Sequence, residues 1–130
     1  MTATPLTTPV ELVRLEDADP LTVTTRVLVD HDNPIFAGHY PGFPIFPGVC
    51  LIECAHHSVL LAAHALGREP ALAAVRGTRF LSPAFPGDVL DLTVRITSRA
   101  GHWECDARIT RTEQDIARIR LRYARPGGDA

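Results

Sequence analysis

The chain has 130 residues, a length that suits one folded domain with a sizeable core. Apolar residues make up 45% and charged residues 22%, and the formal net charge is -2. A chain so close to neutrality has no overall attraction for nucleic acid or an anionic membrane, so we expect neither as a partner. We predict one domain over residues 1–130, with a variable N-terminal segment at 1–19 and a flexible tail at 125–130.

Three cysteines, Cys50, Cys54 and Cys105, lie in apolar or alternating segments and form no CxxC pair. They predict small buried side chains and not a disulfide framework, which is consistent with a reducing cytoplasm. The N-terminus has neither the basic start nor the apolar run of a signal peptide. The apolar stretch 49–66 approaches membrane-spanning length, but Glu53 and three histidines interrupt it. We predict a cytoplasmic protein in which this stretch is a buried helix.

Alternation of apolar and polar residues predicts β-strands along most of the chain. A weaker strand at "VELVRL" is followed by strands at 21–29, 71–81, 90–97, 102–110 and 117–123. The hairpin "TRTEQD" between the last two strands should set arginines opposite Glu104 and Asp106, most simply as a solvated sheet face.

One helix is predicted to open after Pro47-Gly48 and to end at Gly67, a residue typical of helix C-termini. Because this helix is apolar nearly all round, other structure must wrap it, and the sheet is the only structure available. We therefore predict an α+β fold in which an antiparallel sheet wraps around one long central helix.

The segment "GHYPGFPIFPGVCLIECAHH", residues 38–57, holds His39 in a proline-stiffened loop and places Glu53 fourteen residues later. A carboxyl group in apolar surroundings tends to be protonated and suits a general acid, whereas an imidazole suits a general base. The amide N–H of Gly48, at the helix N-terminus, can stabilise a carbonyl oxygen that becomes an enolate. Together these groups indicate removal of a proton next to a carbonyl and loss of a β-hydroxyl as water.

A helical repeat of about 100° per residue puts a further set of side chains on the same stripe as Glu53. These are His57, Leu60 and His64. Three alternatives are open for His57: it orients Glu53, it lines a pocket, or it only packs. His56 and His64 are predicted to be structural.

The segment resembles the motif of the hotdog-fold 3-hydroxyacyl-[acyl-carrier-protein] dehydratases. That motif has the form G-H-F-P-G-x-P-hydrophobic-hydrophobic-P-G-V, followed by a helix that carries the catalytic carboxylate. In "GHYPGFPIFPGVCLIE" the resemblance places the catalytic histidine at His39, the oxyanion amide at Gly48 and the catalytic acid at Glu53. "DNPIF" and "TRFLSPAFPGD" extend it over residues 20–123. It implies a hotdog fold and a 3-hydroxyacyl substrate on the phosphopantetheine arm of acyl carrier protein, with no other cofactor.

Two departures from that family leave the pathway open between fatty-acid synthesis and polyketide, polyene or aryl-polyene assembly. The chain lacks the leading "P-H-R-x-P-F-L-L-V-D-R" segment, and His57 stands where those enzymes usually have Gln. We predict that Gly48, Val49 and His57 bind the substrate or its oxyanion. Arg76 and Arg79 are predicted either to meet the acidic carrier or its phosphate, or to form surface salt bridges.

The dehydratase function has two alternatives. A hotdog thioesterase would not need His39, and a non-catalytic subunit of a heterodimer would be expected to have lost His39 or Glu53. The Cys and His residues around Glu53 do not form a tetrahedral set at helical spacing, so we predict no metal. The resemblance also implies a homodimer, or a larger assembly of dimers, in which the histidine of one chain faces the acid of the other. A heterodimer is the open alternative.

Overall fold

A computed structural model describes residues 10–36 and 45–124 of the chain. It contains six strands, one long helix and a short 3-10 turn at Pro34–Phe36. In chain order the main elements are β1 (Val10–Glu16), β2 (Leu21–Leu28), α1 (Gly48–Ala65), β3 (Ala71–Phe80), β4 (Val89–Arg99), β5 (His102–Arg111) and β6 (Gln114–Ala124). Each predicted strand is confirmed, with bounds that move by a few residues. The predictions for 1–9, for the tail and for His39 lie outside the described residues.

The strands form one antiparallel sheet in the order β1-β2-β4-β5-β6-β3, so that β1 and β3 are its two edges. The helix packs on one face of this sheet, across β1, β2, β4 and β6. We call this the inner face and the opposite one the outer face. The arrangement confirms the predicted α+β fold.

The core lies between α1 and the inner face, because alternate strand residues point towards the helix. On β5, for example, Trp103, Cys105, Ala107 and Ile109 are buried, as the alternation predicts. The buried side of α1 is mostly alanine, cysteine and short aliphatic residues, which let the helix approach the sheet closely. Burial raises the pKa of the Cys54 and Cys105 thiols to about 12, so both stay neutral and serve as packing residues, as predicted.

Pro47 and Gly67 determine where α1 begins and ends. Pro47 is the N-cap, so the helix begins at Gly48, one residue earlier than predicted. At the other end Gly67 adopts a φ of 70°, a conformation that favours glycine. The Gly67 N–H donates to the His64 carbonyl at 3.1 Å, and the Arg68 N–H donates to the Ala63 carbonyl at 2.8 Å. This closure confirms the predicted C-terminus.

The sheet wraps around α1 on one side, and the opposite side of the helix is open in the described part of the chain. Only eight of its eighteen residues are buried, and Val49 in the first turn is 57% exposed. A single curved sheet covers one side of a helix, and the other side stays open unless further structure packs on it. By length and hydropathy alone α1 would also pass for a membrane span, but its buried side packs on the sheet as a core helix.

Candidate active site

The open side of α1 carries the stripe that contains Glu53. It consists of Val49, Glu53, His57, Leu60 and His64, each of which is half-buried or exposed. These residues lie within about 80° of one another around the helix axis, because each residue advances by about 100°. We call them the open stripe. The structure thus brings together the residues that the sequence placed on one helix side.

Glu53 and His57 are in polar contact on the open stripe. The His57 Nε2 lies 3.4 Å from the Glu53 Oε2, and the two side chains are 29% and 28% exposed. Glu53 is therefore half-buried beside an imidazole and does not lie in wholly apolar surroundings. Of the three alternatives for His57, the contact favours the one in which it orients Glu53.

The first turn of α1 has two backbone N–H groups without an acceptor among the described residues. The carbonyl of Pro47 accepts hydrogen bonds from the N–H groups of Cys50, at 2.9 Å, and Leu51, at 3.3 Å. Within 10–36 and 45–124, the N–H groups of Gly48 and Val49 have no acceptor, as expected for the first residues of a helix. Both donors are available to a ligand one turn away from Glu53.

The ring of Phe80, at the end of β3, lies directly over Gly48. A Cβ atom added to Gly48 would lie 2.8 Å from the Phe80 Cζ, so the ring can keep this position only over a glycine. Beside the two residues is a mostly apolar depression of about 400 Å³, which Ile45, Phe46 and Leu51 also line. Sequence reasoning missed Phe80, although it lies in "TRFLSPAFPGD", which extended the motif.

A second histidine, His56, faces the sheet beside Glu53. Its Nδ1 lies 2.7 Å from the hydroxyl oxygen of Tyr123, and the two rings stack with centroids 5.7 Å apart. Burial lowers the pKa of His56, and burial raises the pKa of Tyr123. Tyr123 was missed as well, although a tyrosine on the buried side of a predicted strand signals a polar partner for its hydroxyl.

The comparisons with known proteins bear on this site. The family model ApeI-like, described as ApeI dehydratase, matches residues 15–118. The chain belongs to the ApeI-like dehydratase family. The matched range contains Gly48, Glu53 and His57, and also His39, whose position lies outside the described residues.

Known relatives agree with this assignment. The chain is 39% identical over 74 residues to the 3-hydroxyacyl-[acyl-carrier-protein] dehydratase FabZ of Symbiobacterium thermophilum, covering 54% of this chain and 52% of that protein. It therefore spans about half the length of the curated relatives that it matches.

Solved structures share the fold. The dehydratase heterocomplex ApeI:P from Xenorhabdus doucetiae matches with a TM-score of 0.66 at 20% identity, over 88% of this chain and 96% of that one. Streptococcus mutans smu.793 bound to acetyl CoA matches with a TM-score of 0.74 at 16% identity, over 92% and 90%. At such identities the likeness concerns the hotdog fold, which confirms the predicted fold class.

Arg76 lies on the outer face, where its Nη1 is 3.8 Å from the Glu104 Oε2. The Nε of Arg122 donates to the same Glu104 oxygen at 2.8 Å, and chiefly this hydrogen bond lowers the pKa of the Glu104 carboxyl. Arg79 pairs in register with Arg118 on β6. The structure does not bring these arginines to Glu53. For Arg76 the contact favours the salt-bridge alternative, and carrier docking stays a prediction.

The described part of the chain contains no group of three or more His, Cys, Asp or Glu side chains placed to hold a metal ion. The predicted absence of metal and other cofactors stays a prediction. The polar groups gathered at the open stripe are a carboxyl group, two imidazoles and two backbone donors. They can give or take a proton and stabilise a developing negative charge.

Proposed function

We propose that the protein removes water from a 3-hydroxyacyl thioester on acyl carrier protein and produces a trans-2-enoyl thioester. The observation that carries this proposal is the placement of Glu53 on the open stripe, one turn from the free N–H groups of Gly48 and Val49. A proton donor and oxyanion donors on one helix are what β-elimination next to a thioester carbonyl needs. The FabZ relatives support the same reaction.

The proposed reaction assigns a role to each group. His39 takes the proton from C2, and negative charge develops on the thioester oxygen, where the Gly48 N–H donates a hydrogen bond. The C2=C3 double bond forms as the C3–O bond breaks. The leaving hydroxyl takes the proton of the Glu53 carboxyl group and departs as water. His57 holds the Glu53 carboxyl group through the 3.4 Å contact.

The substrate is proposed to be an apolar acyl chain of the fatty-acid or polyketide and polyene type. The depression beside Gly48 is mostly apolar, and Phe80 and Leu81 at its edge are exposed. Such a surface stabilises hydrocarbon and offers few anchors to a polar chain. All groups in the proposed reaction belong to the protein or the substrate, so we propose that no cofactor is needed. Three free cysteines are consistent with a cytoplasmic location.

The test is incubation with 3-hydroxyacyl groups of several lengths, each attached to acyl carrier protein and to coenzyme A. Mass spectrometry then follows the thioester. Loss of one water molecule from the carrier-bound chain is the expected result. Release of a free hydroxy acid and a free thiol would instead indicate a thioesterase. No reaction by the chain alone, followed by reaction after a partner subunit is added, would indicate the heterodimer alternative.

We further propose that the active form is a dimer joined along β3. Among the described residues, one side of this edge strand has no partner, and three of its apolar inner-face side chains are exposed: Leu72 at 41%, Val75 at 48% and Phe80 at 51%. An exposed apolar edge strand is a ready surface for pairing with a second copy. The ApeI:P heterocomplex leaves a different partner chain as the alternative.

Val75→Lys tests this edge, and Val13→Lys on β1 is the matched control, because both valines are 48% exposed on edge strands. We expect Val75→Lys to yield monomers in analytical ultracentrifugation and to lose dehydration activity. Val13→Lys should leave the dimer intact. Monomers from the control but not from Val75→Lys would place the interface at the β1 edge.

A further inference from the structure

Tyr123 has a buried hydroxyl with one hydrogen-bond partner in the described part of the chain, the Nδ1 of His56. Burial raises the pKa of Tyr123, so the phenol keeps its proton. A buried O–H that donates to nothing carries a substantial desolvation penalty. The phenol proton therefore points at the His56 Nδ1, which can accept it only when that nitrogen carries no proton of its own.

This hydrogen bond selects one form of His56. With Nδ1 as the acceptor, the imidazole is neutral and carries its proton on Nε2. The stacked arrangement, with ring planes only 11° apart, holds His56 in register with the hydroxyl. Burial is the largest cause of the lowered pKa of His56, and the lowered pKa also favours the neutral imidazole.

Glu53 lies close enough to His56 for the two groups to interact electrostatically. A cation at His56 would favour the ionised form of Glu53, and an ionised carboxylate has no proton to give to a leaving hydroxyl. A neutral His56 has no such effect. The charge of His56 therefore matters to any reaction that uses Glu53 as an acid.

We propose that Tyr123 and His56 are positioning residues that keep this side of the site free of positive charge, so that no cation at His56 opposes the role of Glu53 as proton donor. The inference rests on the proposed function, in which Glu53 is the general acid. It assigns a task to His56, which the sequence treated as structural, and to Tyr123, which lies on a different element.

The other titratable groups around the pair are few within the described residues. On α1, Glu53 favours protonation of His56 and His57 opposes it. Behind Tyr123, the Cys105 thiol on β5 has a pKa raised to about 12 by burial and stays neutral. No Arg or Asp acts on His56 in this part of the chain. The Tyr123 hydroxyl is thus the group whose removal should change the charge of His56.

The test uses Tyr123→Phe, which keeps the stacked ring and removes the hydroxyl, with the full chain labelled with ¹³C-histidine. We expect the NMR titration midpoint of His56 to be higher in Tyr123→Phe than in the wild type. Relative to its own rate at higher pH, the variant should lose about threefold in dehydration rate as the pH falls from about 7 to 6, where an imidazole titrates. Thermal melting checks that the variant is folded.

The second part of the test uses His56→Gln, because the glutamine amide is never cationic. We expect His56→Gln to retain a wild-type pH profile, and the Tyr123→Phe/His56→Gln double variant to lose the extra sensitivity to acid. Equal His56 midpoints in the wild type and in Tyr123→Phe would overturn the proposal. So would an acid-side loss that persists in the double variant. A wild-type chain that dehydrates nothing would instead contradict the proposed function, and the NMR midpoint would still decide whether Tyr123 holds His56 neutral.

Discussion

The two sides of α1 differ in chemistry as well as in burial. The side that faces the sheet is built from Cys50, Cys54, Ala55, Val59 and other small apolar residues, all buried. The open stripe carries a carboxyl group and two imidazoles within the same eighteen residues. One helix therefore has a side that packs in the core and a side whose polar groups are half-buried or exposed. Substitutions on the two sides should separate activity from stability.

The largest effect is expected at Glu53, in the middle of the open stripe. Glu53→Gln keeps the shape and hydrogen-bonding capacity but cannot donate a carboxyl proton, so dehydration should fall by at least ~10²-fold. Thermal unfolding should change little, because the side chain is 28% exposed. Rates measured with a carrier-bound 3-hydroxyacyl substrate check this. A variant of near wild-type activity would mean that another group, such as His57, delivers the proton.

A smaller loss is expected from Gly48→Ala, at the start of the helix. The added methyl group would push the Phe80 ring away, and the displaced ring would disturb access to the amide N–H. We expect kcat/KM to fall by about tenfold, a partial form of the loss seen when an oxyanion donor is removed. Gly77→Ala is the control, since a Cβ there meets nothing within 4 Å. Equal activities of the two variants would show that Gly48 has no role in the active site.

Substitutions on the buried side of α1 should lower stability and leave activity unchanged. Val59 is fully buried, so Val59→Ala should lower the free energy of unfolding by about 2 kcal/mol through lost burial and a residual cavity. The folded variant should keep its activity. Leu60→Ala removes more carbon atoms, but from a half-buried position on the open stripe, and should cost less in urea unfolding. A larger loss for Leu60→Ala would show that further structure covers the stripe.

The smallest effect concerns the outer face, away from both sides of α1. The folded-state pKa of Glu104 is lowered, first by the Arg122 hydrogen bond. Its contribution to stability is therefore present above the usual pKa of 4.5 and is lost as the pH falls through the lowered value. Arg122→Gln should lower the urea midpoint slightly at pH 7, and this difference should shrink below pH 4.5. If the difference in urea midpoint did not depend on pH, the effect of Arg122→Gln would come from lost packing.

The strands and the stripe were predictable because both are local patterns. Alternation on β5 and the spacing of Glu53, His57, Leu60 and His64 are fixed by backbone geometry wherever a strand or helix forms. The openness of the stripe was not predictable, because it depends on how much of the helix one sheet can cover. Apolar composition predicted that other structure wraps the helix, but it did not predict how much of the helix surface the sheet leaves open.

The tertiary contacts of the site could likewise not be predicted from the sequence. Phe80 reaches Gly48 from the far end of β3, and Tyr123 reaches His56 from the last strand, across 67 positions of the chain. Spacing along the sequence contains no information about such pairs. The motif predicted that Glu53 lies on the helix, but only the fold shows that His57, and not solvent alone, contacts its carboxyl group.

The central proposal, which the resemblance implies, is that Glu53 on the open stripe of one chain works with His39 of a second copy. Inactive His39→Ala and Glu53→Gln chains, unfolded and refolded together in equal amounts, should form mixed dimers as half of the population. Each mixed dimer has one doubly defective site and one intact site, so the mixture should regain about a quarter of wild-type dehydration activity. No recovery, with mixed dimers confirmed by native mass spectrometry, would contradict the shared site.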